Sequence, residues 1–318
     1  MAISKVGAVS VLTRLRRRLS GPLPPPALPE QAWFDRSDAL AEVARLAIDD
    51  PVGADILTTW VRAGYVVVEG LIDHGKIDAM LAELDGLFGE TEPRDVLEFC
   101  DLQFGDDGDR ETVNHAGLLA HPAADRRAAA ERSNWRLHSM HHACTSARAL
   151  SADPGLERIA SLILGLQATA RYSINFLYGS DQPLHEDTAV FHLRTPNLLV
   201  GAWIACEDID EASGPLAYYP GSHRRPLYEE FDDYPNHNFR TASPETAARY
   251  TRHVAETAES FEEHQFLARK GDVLFWHGGL IHGGGAITDT SRTRQSFVLH
   301  FMPDGADAVA DVTRDARY

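Results

Sequence analysis

Apolar positions fall three and four apart in two early segments, 38–62 and 75–89, which predicts two amphipathic helices. In the second, Ile77, Met80, Leu81, Leu84 and Leu87 line one face. Between them GYVVVEGL at 64–71 is a short β-branched run bounded by glycines, and so a strand. Residues 90–135 are charge-rich and without period, and read as loop with short helices. GLERIASLILG at 155–165 is a further helix, closed by a glycine. Past residue 170 the pattern changes. Short strand-like runs follow at 170–179, 190–194, 198–208, 215–221, 272–284 and 295–303, punctuated by Gly, Pro, Asp and Ser. Many short strands without intervening helices predict an antiparallel barrel or double-sheet roll. The fold class is therefore mainly β with flanking helices, α+β. The gap at 226–268 holds one helical stretch, PETAARYTRHVAETAES, and a long insertion of this kind often forms a lid or rim.

Composition narrows this only a little. With 318 residues, 44% apolar and 24% charged, the chain is neither a disordered polymer, a collagen-like fibre nor a disulfide scaffold. The balance of 30 basic against 47 acidic side chains, net −17, disfavours a nucleic-acid partner. That charge is uneven. Residues 1–30 carry Lys5, Arg14, Arg16, Arg17 and Arg18 against Glu30, or +4, so the rest carries −21. The proline-rich GPLPPPALPE cannot hold a helix, and residues 1–30 read as an extended, flexible leader. Its apolar stretch VGAVSVL precedes the arginines, an order opposite to that of a secretory signal. No apolar run approaches the roughly eighteen residues of a membrane span. Cys100, Cys144 and Cys206 are isolated from one another, and a reducing cytoplasm is expected. Residues 31–318 read as one domain, with a helical front at 31–169 and a β-roll at 170–303. Oligomeric state is not legible.

Two histidines stand in informative surroundings. His185 and Asp187 form His-x-Asp, and in a strand positions i and i+2 point to one face. His282 lies 95 residues beyond Asp187, with Gly283 to Gly285 leaving space beside it. Two imidazoles and one carboxylate make the facial triad of non-haem Fe(II) oxygenases, which leaves positions open for a co-substrate and O2. Twelve residues after His282 comes Arg294, which shares a strand face with Ser296. A guanidinium fork and a hydroxyl suit a carboxylate such as the distal one of 2-oxoglutarate, although a solvated surface pair would look the same. His192 and Arg194 alternate on the run after the ligand pair, and both are candidates for substrate contact; Asn175, with Tyr172 and Tyr178 on the strand before it, is a third candidate, with core packing or edge hydrogen bonding equally open to it. His138, His141 and His142 read as a second metal site or as a polar patch, His223 as a turn residue, and Trp276 as core.

The segment PLHEDTAVFHLRTPNLLVGAWIACEDIDEASGPLAYYPGSHR, followed by GDVLFWHGGLIHGGG and RTRQS, resembles the phytanoyl-CoA dioxygenase family of Fe(II)/2-oxoglutarate oxygenases. The resemblance covers roughly 170–303, with GYVVVEGLID matching the family's opening strand and helix. It implies a double-stranded β-helix, a jelly roll of the cupin kind. It also implies Fe(II) on His185, Asp187 and His282, 2-oxoglutarate on Arg294, and Trp203 lining the co-substrate pocket. Arg292 competes with Arg294, because the loop between His282 and the arginine is one residue longer than the family leads one to expect. His277 competes with His282, but lacks the glycines. The implied activity is hydroxylation of a small molecule by O2, with release of succinate and CO2. Asp187 argues against halogenation, because related halogenases lack that carboxylate. The family's name-giving members act on a CoA thioester. A body of −21 offers such a polyanion poor attraction, which favours a neutral or cationic metabolite. An acyl-CoA 2-hydroxylase, a cupin-like metalloprotein with other chemistry and a non-catalytic scaffold are the alternatives.

Overall fold

The structure is a computed structural model that describes residues 27–105, 108–179, 182–236 and 238–306. The leader expected over 1–30 lies outside the described residues except for its last four.

A 3-10 turn at Trp33–Asp35 leads into helices α1 (Ala39–Leu46) and α2 (Pro51–Ala63), strand β1 (Tyr65–Val68) and helix α3 (His74–Gly86). The single helix expected over 38–62 is thus two. Asp49 adopts a left-handed φ of 60°, and the Asp50 carboxylate accepts a hydrogen bond from the Gly53 amide at 2.9 Å. Pro51 then takes the first helical position, where its missing N–H costs nothing. Strands β2 (Glu98–Gln103) and β3 (Arg110–Asn114) follow, then helices α4 (His115–Leu119) and α5 (Ala123–Arg132). Strand β4 (Arg136–His138) and helices α6 (Met140–Ala143), α7 (Thr145–Ser151) and α8 (Pro154–Leu164) complete the front of the chain. The stretch expected to be loop therefore contains two strands. β3 is an edge strand without a buried residue, so no apolar alternation marks it. β2 carries a register shift between Phe99 and Leu102, and that interrupts its alternation.

The rear supplies β5 (Ala168–Phe176), β6 (Val200–Ala205), β7 (Leu216–Tyr218), helix α9 (Pro244–Ala258), β8 (His264–Gln265), β9 (Val273–His277), β10 (His282–Gly284) and β11 (Ser296–Pro303). No strand forms at 190–194. The run expected at 272–284 divides at Gly278–Gly279 into β9 and β10, which lie in different sheets.

Eight antiparallel strands form one sheet in the order β1-β9-β6-β11-β5-β4-β2-β3, and β10-β7-β8 form a second. This is the expected α+β jelly roll. Alternation along β11 divides the layers. Phe297, Leu299 and Phe301 pack outward with Leu57, Ile77 and Ile163 of the helices. Val298 faces inward, into a core shared by Trp203, Leu274 and Trp276 of the large sheet with Leu216 and Tyr218 of the small one. A third cluster joins Tyr228, Phe231, Tyr250 and Val254 of the insertion to Ala189 and Ile281. Burying each such side chain contributes about 1.5–3 kcal/mol. The inward layer is the one from which polar side chains also project, and the site lies there. Among the described residues no helix is long and apolar enough to cross a membrane.

Candidate metal centre

His185 and His282 face each other across an antiparallel bridge. The His185 amide donates to the His282 carbonyl at 2.9 Å, and the His282 amide returns the bond at 3.0 Å. Their ring centroids are 4.4 Å apart. Each Nδ1 lies 2.9 Å from a backbone carbonyl, His185 from Pro183 and His282 from Leu280. A carbonyl only accepts, so each Nδ1 carries the proton and each Nε2 presents a lone pair.

Asp187 is not in a strand. It opens a 3-10 turn, Asp187–Ala189, pinned by Thr188 N–H donating to the Gly278 carbonyl at 3.0 Å. This corrects the strand-parity argument that paired it with His185: a turn, rather than alternation, turns both side chains inward. Asp187 Oδ1 lies 3.9 Å from His185 Nε2 and 3.7 Å from His282 Nε2. These separations are too long for hydrogen bonds. One ligand atom from each of the three residues lies within 4.8 Å of the others, and all three residues are buried. This is the one group of three or more such side chains among the described residues, so the second metal site considered at His138, His141 and His142 does not form. There His138 Nδ1 bonds the Tyr172 hydroxyl, and His141 Nδ1 bonds Ser173 Oγ at 2.7 Å.

The other carboxylate oxygen of Asp187 is held from behind. Trp276 Nε1–H donates to Oδ2 at 2.7 Å, and His300 Nε2 reaches it at 3.2 Å. Trp276 is thus more than core. It fits because Gly201 lies opposite; a Cβ there would stand 2.1 Å from the indole. Burial pushes the Asp187 carboxyl up, but His300 and His282 outweigh it and hold it well below the usual range. Burial, with His282 alongside, pushes His185 down to about 3. At neutral pH Asp187 is thus a carboxylate and His185 an uncharged imidazole, as binding of a divalent metal requires. In donor type and charge the residues fit Fe(II).

Arg294 lines the same cavity. Its side chain is 1% exposed. The guanidinium carbon sits 5.5 Å from the Phe176 ring and 5.6 Å from the Trp203 ring. One bond, Nη1 to the Gly214 carbonyl at 3.1 Å, is made; Nε has no partner. Burial lowers the group to about 10. A buried guanidinium lacking an anion is costly, so this one is built to receive one. Ser296 Oγ is also buried and unpartnered, on the inward face with Val298 and His300. Arg292, the competing candidate, is half exposed and paired with Asp210 and Asp289.

One cavity of about 60 Å³ brings His185, Asp187, His282, Trp203 and Arg294 together. Four candidates fall elsewhere. Asn175 faces the helices, with Nδ2 on Met80 Sδ at 3.1 Å, because β5 turns its even-numbered Tyr172, Ile174 and Phe176 inward. His192 bonds the Pro235 carbonyl at 3.0 Å and packs against Phe231 and Tyr234. Arg194 is exposed. His277 points the opposite way from His282, bonding Asp35 at 3.1 Å beside Phe34 and Trp60. Sequence reading missed His300, Trp276, Gln182 and Arg240 as cavity walls. His300 had a signal, since it shares the parity of Arg294 and Ser296.

A family profile described as phytanoyl-CoA dioxygenase matches residues 60–295. Peroxisomal phytanoyl-CoA dioxygenase of Rattus norvegicus is 34% identical over 131 residues, 38% of this chain and 33% of that protein. The chain thus aligns with about a third of the length of the mammalian peroxisomal phytanoyl-CoA dioxygenases it matches. Phytanoyl-CoA dioxygenase domain-containing protein 1 of Danio rerio is 22% identical over 264 residues, 75% of this chain and 86% of that one. Among solved structures, the epimerase SnoN in complex with Fe3+, alpha ketoglutarate and nogalamycin RO superposes with a TM-score of 0.53 at 21% identity, over 83% of this chain and 84% of that one. EctD from S. alaskensis in its apoform gives 0.55 at 16% identity, over 90% and 85%. At such identities the likeness is one of fold.

Proposed function

The chain belongs to the phytanoyl-CoA dioxygenase family, and from that membership we propose that it is a non-haem Fe(II)/2-oxoglutarate-dependent dioxygenase that hydroxylates a small molecule. The observation that carries the reading is the pairing of a buried, anion-seeking Arg294 with the His185, Asp187 and His282 group in one cavity. A cupin-like protein using manganese or zinc for other chemistry has no use for that guanidinium. Structures of the same fold have been solved with iron or with 2-oxoglutarate, which adds support.

The reaction consumes substrate, O2 and 2-oxoglutarate, and yields the alcohol, succinate and CO2. Bound Fe(II) would supply the O2 chemistry. The chain's part is positioning. His185 and His282 would offer their Nε2 lone pairs, and Asp187 its Oδ1. Trp276 and His300 keep Oδ2 occupied, so the carboxylate offers one oxygen. Arg294 and Ser296 would grip the distal carboxylate of 2-oxoglutarate between the walls of Phe176 and Trp203. Apolar neighbours Val190, Phe191 and Val298 keep water from the reacting carbon. No side chain is asked to act as a general acid or base. Asp187 supports hydroxylation over halogenation.

Strands from both halves of the chain in one sheet support a single domain from residue 31 onward. The buried free thiols of Cys100, Cys144 and Cys206 support a reducing, cytoplasmic setting.

Anaerobic addition of Fe(II) and then 2-oxoglutarate should produce a weak visible charge-transfer band, and air should then yield succinate. With neither band nor succinate the oxygenase reading fails. Asp187→Ala should abolish turnover. Arg294→Gln should raise the KM for 2-oxoglutarate about tenfold or more, as loss of a charge-assisted fork implies, whereas Arg292→Gln should not.

A further inference from the structure

The insertion expected to form a lid or rim is bonded to the turn that carries Asp187. Along α9, Thr246, Tyr250, Val254 and Ala258 fall four apart and are buried, so one helix face turns inward. Tyr250 packs there against Tyr228, Phe231 and Phe239. Its hydroxyl accepts a hydrogen bond from the Glu186 amide at 2.8 Å, and Glu186 stands between His185 and Asp187. Three more bonds follow by His192. The Phe239 amide donates to the Ala189 carbonyl at 2.9 Å, Asn238 Nδ2 to the Val190 carbonyl at 3.0 Å, and His192 Nδ1 to the Pro235 carbonyl at 3.0 Å. Asn238 is itself fixed, because its Oδ1 accepts from the Arg240 and Thr241 amides. The start of α9 is tied to the preceding loop in turn, where Asp232 accepts from the Ser243 amide and the Thr246 hydroxyl, each at 2.9 Å.

We propose that the insertion is part of the framework of the metal centre, and that Tyr250 is a positioning residue for Asp187. From the strand side the turn is held by the Gly278 carbonyl, with Trp276 and His300 behind Oδ2. From the other side it is held by Tyr250, Phe239 and Asn238. The Glu186 amide decides the matter. A buried N–H left without a partner is costly, and the chain relieves it by moving. Residue 186 cannot move alone, since planar peptide units join it to His185 and Asp187. The ligand atoms would then leave the separations of 3.7 and 3.9 Å that bring them within reach of one ion. A lid has to swing away from the site. An insertion bonded along the ligand turn cannot do so without taking Asp187 with it. The consequence for the metal rests on the oxygenase reading, whereas the hold on the turn does not.

The test titrates Mn(II) into metal-free protein, after hydrogen exchange over residues 185–192 has been measured on the same samples. Tyr250→Phe removes one oxygen and keeps the ring among its aromatic neighbours. It should weaken Mn(II) binding about tenfold. It should also speed exchange of the 185–192 peptide about tenfold, as loss of a partner for a buried amide implies. Tyr228→Phe takes a hydroxyl from the same aromatic cluster that none of residues 185–192 bonds, and should leave both readings within about twofold. Circular dichroism checks that the variants fold. Should Tyr250→Phe not fold, Asn238→Ala, which removes the donor to Val190, is judged by the same two readings. A fall in Tm with Mn(II) affinity unchanged, a loss of affinity with exchange unchanged, or an equal loss in Tyr228→Phe overturns the proposal. If unmutated protein takes up no Mn(II), the oxygenase reading fails, and exchange alone then decides whether Tyr250 holds the turn.

Discussion

At the residue scale, the metal group depends on side chains that would not touch the metal. Asp187 has two oxygens and three kinds of neighbour. Trp276 and His300 occupy Oδ2, and that leaves Oδ1 for the His185 and His282 side. Trp276→Phe keeps the ring volume and removes one N–H. It should lower Fe(II) or Mn(II) affinity by about 10- to 100-fold, the usual cost of losing a partner behind a ligand. A merely structural role would lower Tm instead and leave metal titrations within twofold of unmutated protein. Spacing and resemblance together reached His185, Asp187, His282 and Arg294, because each sits in a short motif. They could not reach Trp276, whose role depends on Gly201 standing opposite, a pairing made across two strands. They misplaced Asn175 by a single step of strand parity, and His192 by assuming a strand where the chain makes a turn.

At the element scale, local chemistry explains both what was legible and what was not. The glycine-closed helix at 155–165 and the strand after Gly64 are bounded by residues whose conformational preferences act locally, and both form. The break between α1 and α2 is equally local, an Asp-Asp-Pro stop and restart, but the continuing apolar period conceals it. Asp50→Ala removes the bond to the Gly53 amide and should cost about 1 kcal/mol. Thermal unfolding should show this as a Tm lower by about 2–4 °C. β3 has no apolar face, so no pattern could announce it; only its pairing with β2 makes it a strand. The clearest element-scale test is Gly201→Ala. Its new Cβ would meet the Trp276 indole at 2.1 Å. Overpacking of this kind costs about 1–3 kcal/mol. Since the displaced indole is also the donor to Asp187, metal affinity should fall with stability. If stability alone falls, the indole has kept its bond and the linkage between sheet packing and site is wrong.

At the scale of the whole molecule, burial of neutral histidines ties stability to pH. His141 is buried at the junction of α6 and β5, and burial, with His142 and Arg148 nearby, pushes it down to about 3. In the unfolded chain the same imidazole titrates near 6.5. Between those values the unfolded chain holds a proton that the folded chain refuses. Its contribution is therefore complete above about 6.5 and is lost as pH falls toward 3. The loss is at most about 1.4 kcal/mol per pH unit for one such group. His223, depressed to about 3 by burial and the facing His277, adds in the same direction and window. Net charge alone predicts the opposite. A chain of −17 sheds self-repulsion as its carboxylates protonate, and on that ground mild acid should stabilise it. Urea midpoints of metal-free protein from pH 7.5 to 4.5 separate the two effects. We expect a steady fall, shallower in His141→Gln, which keeps a hydrogen-bonding group for Ser173 but cannot titrate. A midpoint that rises toward pH 5, or a variant slope equal to that of unmutated protein, would show that the acidic surface rather than the buried imidazole governs acid stability.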